Sequence, residues 1–369
     1  LNPLSPMMMG VMAPTEILAN QHFQNFMNLF SNYGINLELL TGKTKNKKDI
    51  YKRLENGEID VLIGTHALIS TDVEYNNLGL VITDEQHRFG VNQRSNLRNK
   101  GKKADVLYMS ATPIPRTYAL TIYGDMDISN IKTMPSGRKE VITEIKSEKE
   151  IRDVLMLMYQ ELKKNHQCYV IAPLIEDSDK IDLTNVEKLE SEMNKAFGKL
   201  YKIGVLHGKM KQEEKDLIMQ KMKDNEIQIL ISTTVIEVGI DVPNSTVMVI
   251  FDAFRFGLSQ LHQLRGRVGR NSLQSYCVLI SNVEKERLKI LTTTNDGFKI
   301  SEEDFKLRGS GDLFGIKQSG DMSFKIANIK NDYKMLLMAK DDSMEYLESK
   351  KYLDNKNILD IVNKISNLD

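Results

Sequence analysis

The stretch VITDEQHRFGVNQR, residues 81–94, begins as an apolar, β-branched run and ends abruptly in two carboxylates, an amide and an imidazole. Such a run reads as a strand buried on both faces of a parallel sheet. Its charged end then falls where open parallel sheets bind their ligands, at the carboxyl ends of the strands. An aspartate in the position of Asp84 can hold a Mg²⁺ that bridges nucleotide phosphates, and a glutamate in the position of Glu85 can orient and deprotonate an attacking water. Taken alone, two carboxylates after an apolar run are better read as solvated loop charges, so their weight rests on the rest of the chain.

Outward from this stretch, short β-branched runs alternate with helical patterns. GVMAP, IDVLIGT, LGLVITDE and ADVLYMSAT come first, followed by QCYVIAPL, IGVLHG, IQILISTT, STVMVIFDA and SYCVLIS. Apolar strands spaced by amphipathic helices predict an α/β protein with parallel sheets covered on both faces. The strands are too many for one comfortable sheet. A break is expected near MPSGRKEVITEIKSEKE, where Pro135, Ser136 and Gly137 precede a charged restart. Two lobes are therefore expected, over residues 1–140 and 141–290, with an appended helical element over 291–369 that carries the Gly-rich KLRGSGDLFGIKQSG. No internal repeat is evident beyond the weak similarity that two α/β lobes share.

The 369 residues suit two or three domains, and 50 basic against 50 acidic residues with 41% apolar content describe an ordinary globular composition. There is no uniform basic excess, although a basic groove offset by acidic faces remains compatible with a nucleic-acid partner. Cys168 and Cys277 sit in apolar runs far from any metal-ligand spacing, as buried reduced thiols would. No apolar stretch reaches membrane-spanning length, and LNPLSPMMMG lacks the features of a signal peptide, so a cytoplasmic location and no membrane partner are expected.

The second half adds TTVIEVGIDVP (233–243) and QLHQLRGRVGR (260–270). Arg267 and Arg270, spaced by Gly-bearing turns and one helical turn apart, can converge on a phosphate as an arginine finger. A lone pair of this kind reads about as well as a basic face that binds nothing. His262, Gln263 and Asp241 nearby tilt the reading towards phosphate chemistry.

DEQHRFGVNQR, MSATPIPRT, TTVIEVGIDVP and QLHQLRGRVGR, in this order, resemble motifs II, III, V and VI of superfamily 2 helicases, and specifically those of the RecG branched-DNA helicase family. MAPTEILANQHF resembles motif Ia, IGTHALI motif Ib, LHGKMKQEEKD the start of the second lobe's signature, and FKLRGSGDLFGIKQSG the translocation (TRG) motif. The resemblance runs from about Val11 to at least Gly320. It implies two RecA-like lobes, the first incomplete, plus a C-terminal helical hairpin with the TRG element. It also implies ATP and Mg²⁺ as cofactors, with Asp84 the metal partner, Glu85 the general base, and Gln263, Arg267 and Arg270 on the phosphates. Gln86, His87, Ser110, Thr112, Gly239 and Asp241 would couple the nucleotide site to lobe movement, although His87 also reads as a packing histidine. Thr15, Thr65, His66 and Thr233 would contact the DNA backbone; each threonine reads equally well as a helix cap. Arg308, Gly309, Gly311 and Gln318 would form the hook that couples lobe closure to pulling on duplex. The implied partners are branched double-stranded DNA, such as stalled forks and Holliday junctions, and single-strand-binding protein, with the chain a monomer.

An ATPase of this class needs a Gly-x-x-x-x-Gly-Lys-Ser/Thr cradle. Gly42-Lys43-Thr44 is the nearest candidate, but Leu37 stands where the first glycine should be and the segment follows motif Ia. In IGVLHGKM the spacing is short and Met210 replaces the hydroxyl residue. The expectation is a helicase fragment without its phosphate loop and amino-terminal wedge domain, inactive in ATP hydrolysis by itself. Two other readings stay open: a transcription-repair coupling translocase of the Mfd type, and a non-catalytic binding module that has lost its phosphate loop. The basic run TGKTKNKKDIYKR reads as a solvated helix face.

Overall fold

The computed structural model describes residues 7–101, 104–111, 127–131, 133, 137–172, 179–233, 242–283, 286–308, 333–359 and 361. The first lobe runs β1 (Met8–Met12), α1 (Glu16–Phe30), β2 (Leu37–Leu40), α2 (Lys47–Glu55), β3 (Val61–Gly64), β4 (Leu78–Thr83), α3 (Val91–Arg98) and β5 (Asp105–Tyr108). Its strands pair in parallel in the order β2-β3-β1-β4-β5. The second lobe runs β6 (Ile142–Lys146), α4 (Ile151–Lys163), β7 (Gln167–Ile171), α5 (Asp179–Phe197), β8 (Ile203–Leu206), α6 (Gln212–Lys223), β9 (Ile229–Ser232), β10 (Ser245–Ile250), α7 (Leu258–Arg265) and β11 (Tyr276–Ile280). Its order is β6-β11-β10-β7-β9-β8, again all parallel. Helices α8 (Glu286–Thr293), α9 (Gly297–Arg308) and α10 (Tyr333–Glu348) follow. Both sheets belong to one compact unit, Leu1–Pro113 with Lys132–Ile300, while Ile114–Ile131 with Ser301–Asp369 form another.

The nine apolar runs all become strands, and two further strands were not legible as such. β2 and β6 are edge strands with only one neighbour each, and their sequences LELL and ITEIK are interrupted by the polar residues Glu38, Thr143 and Glu144. The central strands β7 and β10 are buried along their whole length, and that is why they read as unbroken apolar runs. Among the described residues β5 has no strand on its outer side, and Leu107 there is 49% exposed. Cys168 and Cys277 are buried free thiols, and burial pushes both above the ordinary thiol range.

Within the weak similarity that the two α/β lobes share, a local backbone pattern recurs. After β4 and again after β10 the chain passes through a left-handed carboxylate residue, Glu85 (φ 49°) and Asp252 (φ 46°). A 3₁₀ turn follows each, over Gln86–Arg88 and Ala253–Arg255. The turns close by Phe89 N–H donating to Gln86 O (3.1 Å) and Phe256 N–H donating to Ala253 O (3.2 Å). Arg-Phe-Gly then leads into a helix in both places, α3 and α7. A side chain at positive φ costs on the order of 1 kcal/mol, and both carboxylate residues are held there by these turns.

Helix α7 is pinned from inside by a residue that the sequence reading passed over. Arg265 is 3% exposed, and its guanidinium donates to Leu291 O (2.7 Å), Thr294 O (3.0 Å) and His262 Nδ1 (2.9 Å). It thereby satisfies carbonyls at the end of α8 that have no partner within the helix. Since Nδ1 accepts, the imidazole proton lies on Nε2. Burial, reinforced by the Arg265 charge, lowers the His262 pKa to about 4.

Two outcomes follow from the fold. A Cβ on Gly64 would sit 2.0 Å from Leu40 O, so Gly64→Ala must part β2 from β3. It should lower stability by about 3 kcal/mol in urea unfolding, and an unchanged midpoint would contradict the packing described. Between about pH 6.5 and 4 the unfolded His262 binds a proton that the folded one refuses. Stability present above pH 6.5 is therefore lost as pH falls to 4, by about 3 kcal/mol at most. His262→Asn, which can still accept from Arg265, should flatten that part of the stability–pH curve.

Candidate functional site

The site begins where β4 stops. Asp84 N–H donates to Met12 O (2.9 Å), continuing the β1–β4 ladder by one bond, and Glu85 then turns left-handed. That turn aims Glu85 N–H back at Asp84 Oδ1 (2.8 Å), while Gln86 N–H donates to Met109 O (3.1 Å) at the end of β5. Ala111 N–H reaches Glu85 Oε2 at 3.5 Å, so the chain carrying Ser110 wraps the Glu85 carboxylate. Glu85 and Gln86 are buried, at 8% and 7% exposure, whereas the Asp84 side chain keeps 19%. The His87 side chain and Thr112 lie outside the described residues.

Asp84 offers hard oxygen donors on the open side, with the Glu85 carboxylate buried beside it. Mg²⁺ is held in such sites by one or two carboxylates, with phosphate oxygens and water completing its shell. Each Asp84 oxygen carries a single hydrogen bond, to Glu85 N–H and to His22, which leaves lone pairs on both for a cation. The residues fit Mg²⁺ in that role, and no set of three or more clustered ligating side chains occurs among the described residues.

In the second lobe, α7 ends at Arg265 with Gly266 as its C-cap, so Arg267 and Arg270 lie beyond the helix. They are spaced by a turn and not by a helical turn as the spacing suggested. Gly269 makes the turn possible: its φ is +74°, and a Cβ there would meet Val141 Cγ2 at 2.7 Å. Arg270 Nε donates to Gly266 O at 3.2 Å. Burial lowers the Arg267 pKa to about 10 and Arg270 repulsion adds to this, while the Glu85 carboxylate opposes both. Arg267 stays charged at neutral pH, and it lies within the electrostatic reach of Glu85 on the other lobe. Gln263 is half-buried on α7, while Gly239 and Asp241 lie outside the described residues.

A second link between the lobes was not foreseen. Lys43 Nζ lies 3.2 Å from Glu16 Oε2 on α1 and 3.3 Å from Asp216 Oδ2 on α6, and these carboxylates raise its pKa. Thr44 Oγ1 accepts from Thr41 N–H (2.9 Å) and donates to Leu39 O (3.3 Å). Gly42-Lys43-Thr44 is thus a turn that ties its own lysine and hydroxyl down. Lys43 spans the Glu16 and Asp216 carboxylates while its side chain stays 58% exposed.

The backbone-contact candidates separate. Thr15 is the N-cap of α1, accepting from Leu18 N–H at 3.3 Å. Thr65 and Thr233, each 2% exposed at the ends of β3 and β9, have buried hydroxyls with no hydrogen-bond partner among the described residues. Thr65 makes no side-chain cap bond, and His66 beside it is exposed. In the tail, the Arg308 side chain, Gly309, Gly311 and Gln318 lie outside the described residues.

Three family comparisons bear on this arrangement. The DEAD/DEAH box helicase family matches residues 4–120, the helicase conserved C-terminal domain 147–272, and the C-terminal part of RecG domain 3 residues 294–367. The ATP-dependent DNA helicase RecG of Staphylococcus epidermidis is 54% identical over 347 residues, 92% of this chain and 51% of that protein. RecG of Staphylococcus aureus is 53% identical over 92% of the chain and 50% of its own length. A solved RecG bound to a three-way DNA junction superposes with a TM-score of 0.73 at 46% identity, covering 89% of this chain and 43% of that one. Saccharomyces cerevisiae Dbp5 bound to RNA and ADP BeF3 shares the fold, with a TM-score of 0.56 at 17% identity over 93% of this chain and 83% of that one. The two sheets are those of RecA-like helicase lobes. The chain spans about half the length of the curated relatives it matches. With carboxylates closing β4 and arginines beyond α7, the chain belongs to the RecG family of ATP-dependent DNA helicases.

Proposed function

We propose that this chain is the motor region of an ATP-dependent helicase that acts on branched double-stranded DNA, such as stalled forks and Holliday junctions. The observation that carries the reading is geometric: two adjacent carboxylates close β4 beside the end of β5, and Arg267 and Arg270 follow α7 through the turn at Gly269. Asp84 would hold Mg²⁺, Glu85 would take the proton from the attacking water, and Gln263, Arg267 and Arg270 would orient it and neutralise charge developing on the terminal phosphate. Mg²⁺, when bound, supplies charge neutralisation between phosphate oxygens. Gln86, His87, Ser110, Thr112, Gly239 and Asp241 would pass the nucleotide state between lobes. Thr15, Thr65, His66 and Thr233 would lie along the DNA backbone, the Thr65 and Thr233 hydroxyls having no partner among the described residues. Arg308, Gly309, Gly311 and Gln318 would form the hook that converts closure into duplex movement. Single-strand-binding protein is a candidate partner, and the motor acts as a monomer.

No Gly-x-x-x-x-Gly-Lys-Ser/Thr cradle occurs in the 369 residues. The chain by itself should therefore show no forked-DNA-stimulated ATP hydrolysis, and robust turnover by the purified chain would overturn this. In a protein of the relatives' full length, Glu85→Gln should lower stimulated hydrolysis about 10²–10⁴-fold, and Arg267→Ala about 10³-fold. DNA affinity should stay within about threefold, because neither group is assigned to DNA. Arg308→Ala or Gln318→Ala should keep DNA-stimulated hydrolysis and lose unwinding; equal loss of both would contradict the coupling role.

A further inference from the structure

His22 was part of a quoted motif but received no role from the sequence, and no other site residue accounts for it. It lies on α1 with its Nε2 2.8 Å from Asp84 Oδ2, the two side chains being 22% and 19% exposed. An ionised carboxylate can only accept, so Nε2 carries the proton and donates. The other Asp84 oxygen accepts Glu85 N–H at 2.8 Å. The carboxylate is therefore held at both oxygens, one by its own turn and one by a residue 62 positions away on a different element.

The bond adds little to the placement of either backbone. β4 is fixed by its ladder with β1, Met12 facing Thr83, and by Asp84 N–H on Met12 O. Helix α1 is fixed by Leu18 and Ala19, which pack with Ala13 in their own small apolar cluster. What His22 does set is the rotation of the Asp84 side chain. That matters for a Mg²⁺ ligand in particular, because Mg²⁺ demands near-ideal octahedral geometry and a freely turning carboxylate satisfies it only part of the time. Groups that hydrogen-bond a metal ligand orient it in the same way, and removing them typically weakens metal affinity 10–100-fold. His22 also stands seven residues after Thr15, two helical turns along one face of α1. The helix whose first turn is a candidate DNA contact thus touches the metal carboxylate directly.

We propose that His22 is a positioning residue of the nucleotide site, holding the Asp84 carboxylate in its metal-binding orientation through an Nε2–H bond to Oδ2. The inference rests on the assignment of Asp84 to Mg²⁺ made above. The test compares wild type, His22→Ala and His22→Gln in a protein of full family length, since a glutamine amide can replace the Nε2–H donor. Three quantities are read: the Mg²⁺ concentration for half-maximal DNA-stimulated hydrolysis, Mn²⁺ affinity in the presence of ADP by electron paramagnetic resonance, and thermal midpoint. His22→Ala should raise the half-saturating Mg²⁺ concentration and weaken Mn²⁺ about tenfold or more, with DNA affinity unchanged, and His22→Gln should restore both to within about threefold. Wild-type metal dependence in His22→Ala would overturn the role of His22 alone. Equal defects in the two variants, with a matching fall in thermal midpoint, would make His22 merely structural and also overturn it. A wild-type protein with no divalent-dependent hydrolysis would overturn the Mg²⁺ assignment and the inference together.

Discussion

At the end of β4 the chain leaves its sheet through a left-handed residue that is not glycine. Glu85 at φ 49° is costly, and it is kept there because each neighbouring backbone donor finds a partner only in that geometry. Asp84 N–H bonds Met12 O, Glu85 N–H bonds the Asp84 carboxylate, and Gln86 N–H bonds Met109 O. Three strands, β1, β4 and β5, thus agree on where two adjacent carboxylates point. Had β4 simply run on, its alternation would have sent Asp84 and Glu85 to opposite faces of the sheet. The turn puts one carboxylate on the open side and buries the other against the end of β5.

The same device recurs in the second lobe at Asp252, where no nucleotide role is assigned and the carboxylate instead lies 3.6 Å from Arg255 Nε. The repeated turn is therefore a way of leaving a parallel strand and entering a helix. Across the lobes two electrostatic links are in place. Lys43 joins Glu16 to Asp216 through an exposed pair, worth little by itself in water, whereas Arg267 is half-buried and its pKa is lowered to about 10 by burial, with the Glu85 charge opposing the fall. The arginine keeps its charge at neutral pH despite burial.

Much of this was legible in the sequence because burial on both faces leaves a plain signature. β7 and β10 are fully buried and announce themselves as apolar runs, while β2 and β6, at sheet edges, mix polar residues and do not. The positions of Asp84, Glu85 and Arg267 at strand and helix ends were legible as residue types. The His22–Asp84 bond was not, since it joins positions 62 apart through a helix face that no linear spacing marks. Nor was Arg265: one more arginine in a basic motif, it turns inward to hold carbonyls at the end of α8. The Arg-Phe-Gly repeat is too short to notice until two backbones show the same positive φ.

The central claim is that a terminal phosphate is enclosed by Glu85 from one lobe and Arg267 and Arg270 from the other. Spin labels at the exposed positions Lys52 and Lys223, one on each lobe, report that closure directly. In a protein of full family length, Mg²⁺ with a non-hydrolysable ATP analogue should collapse the interlobe distance distribution to one narrow, shorter peak. Mg²⁺ with ADP should not, and Arg267→Ala should abolish the difference. A distribution that is the same with the ATP analogue, with ADP and without nucleotide would contradict the account.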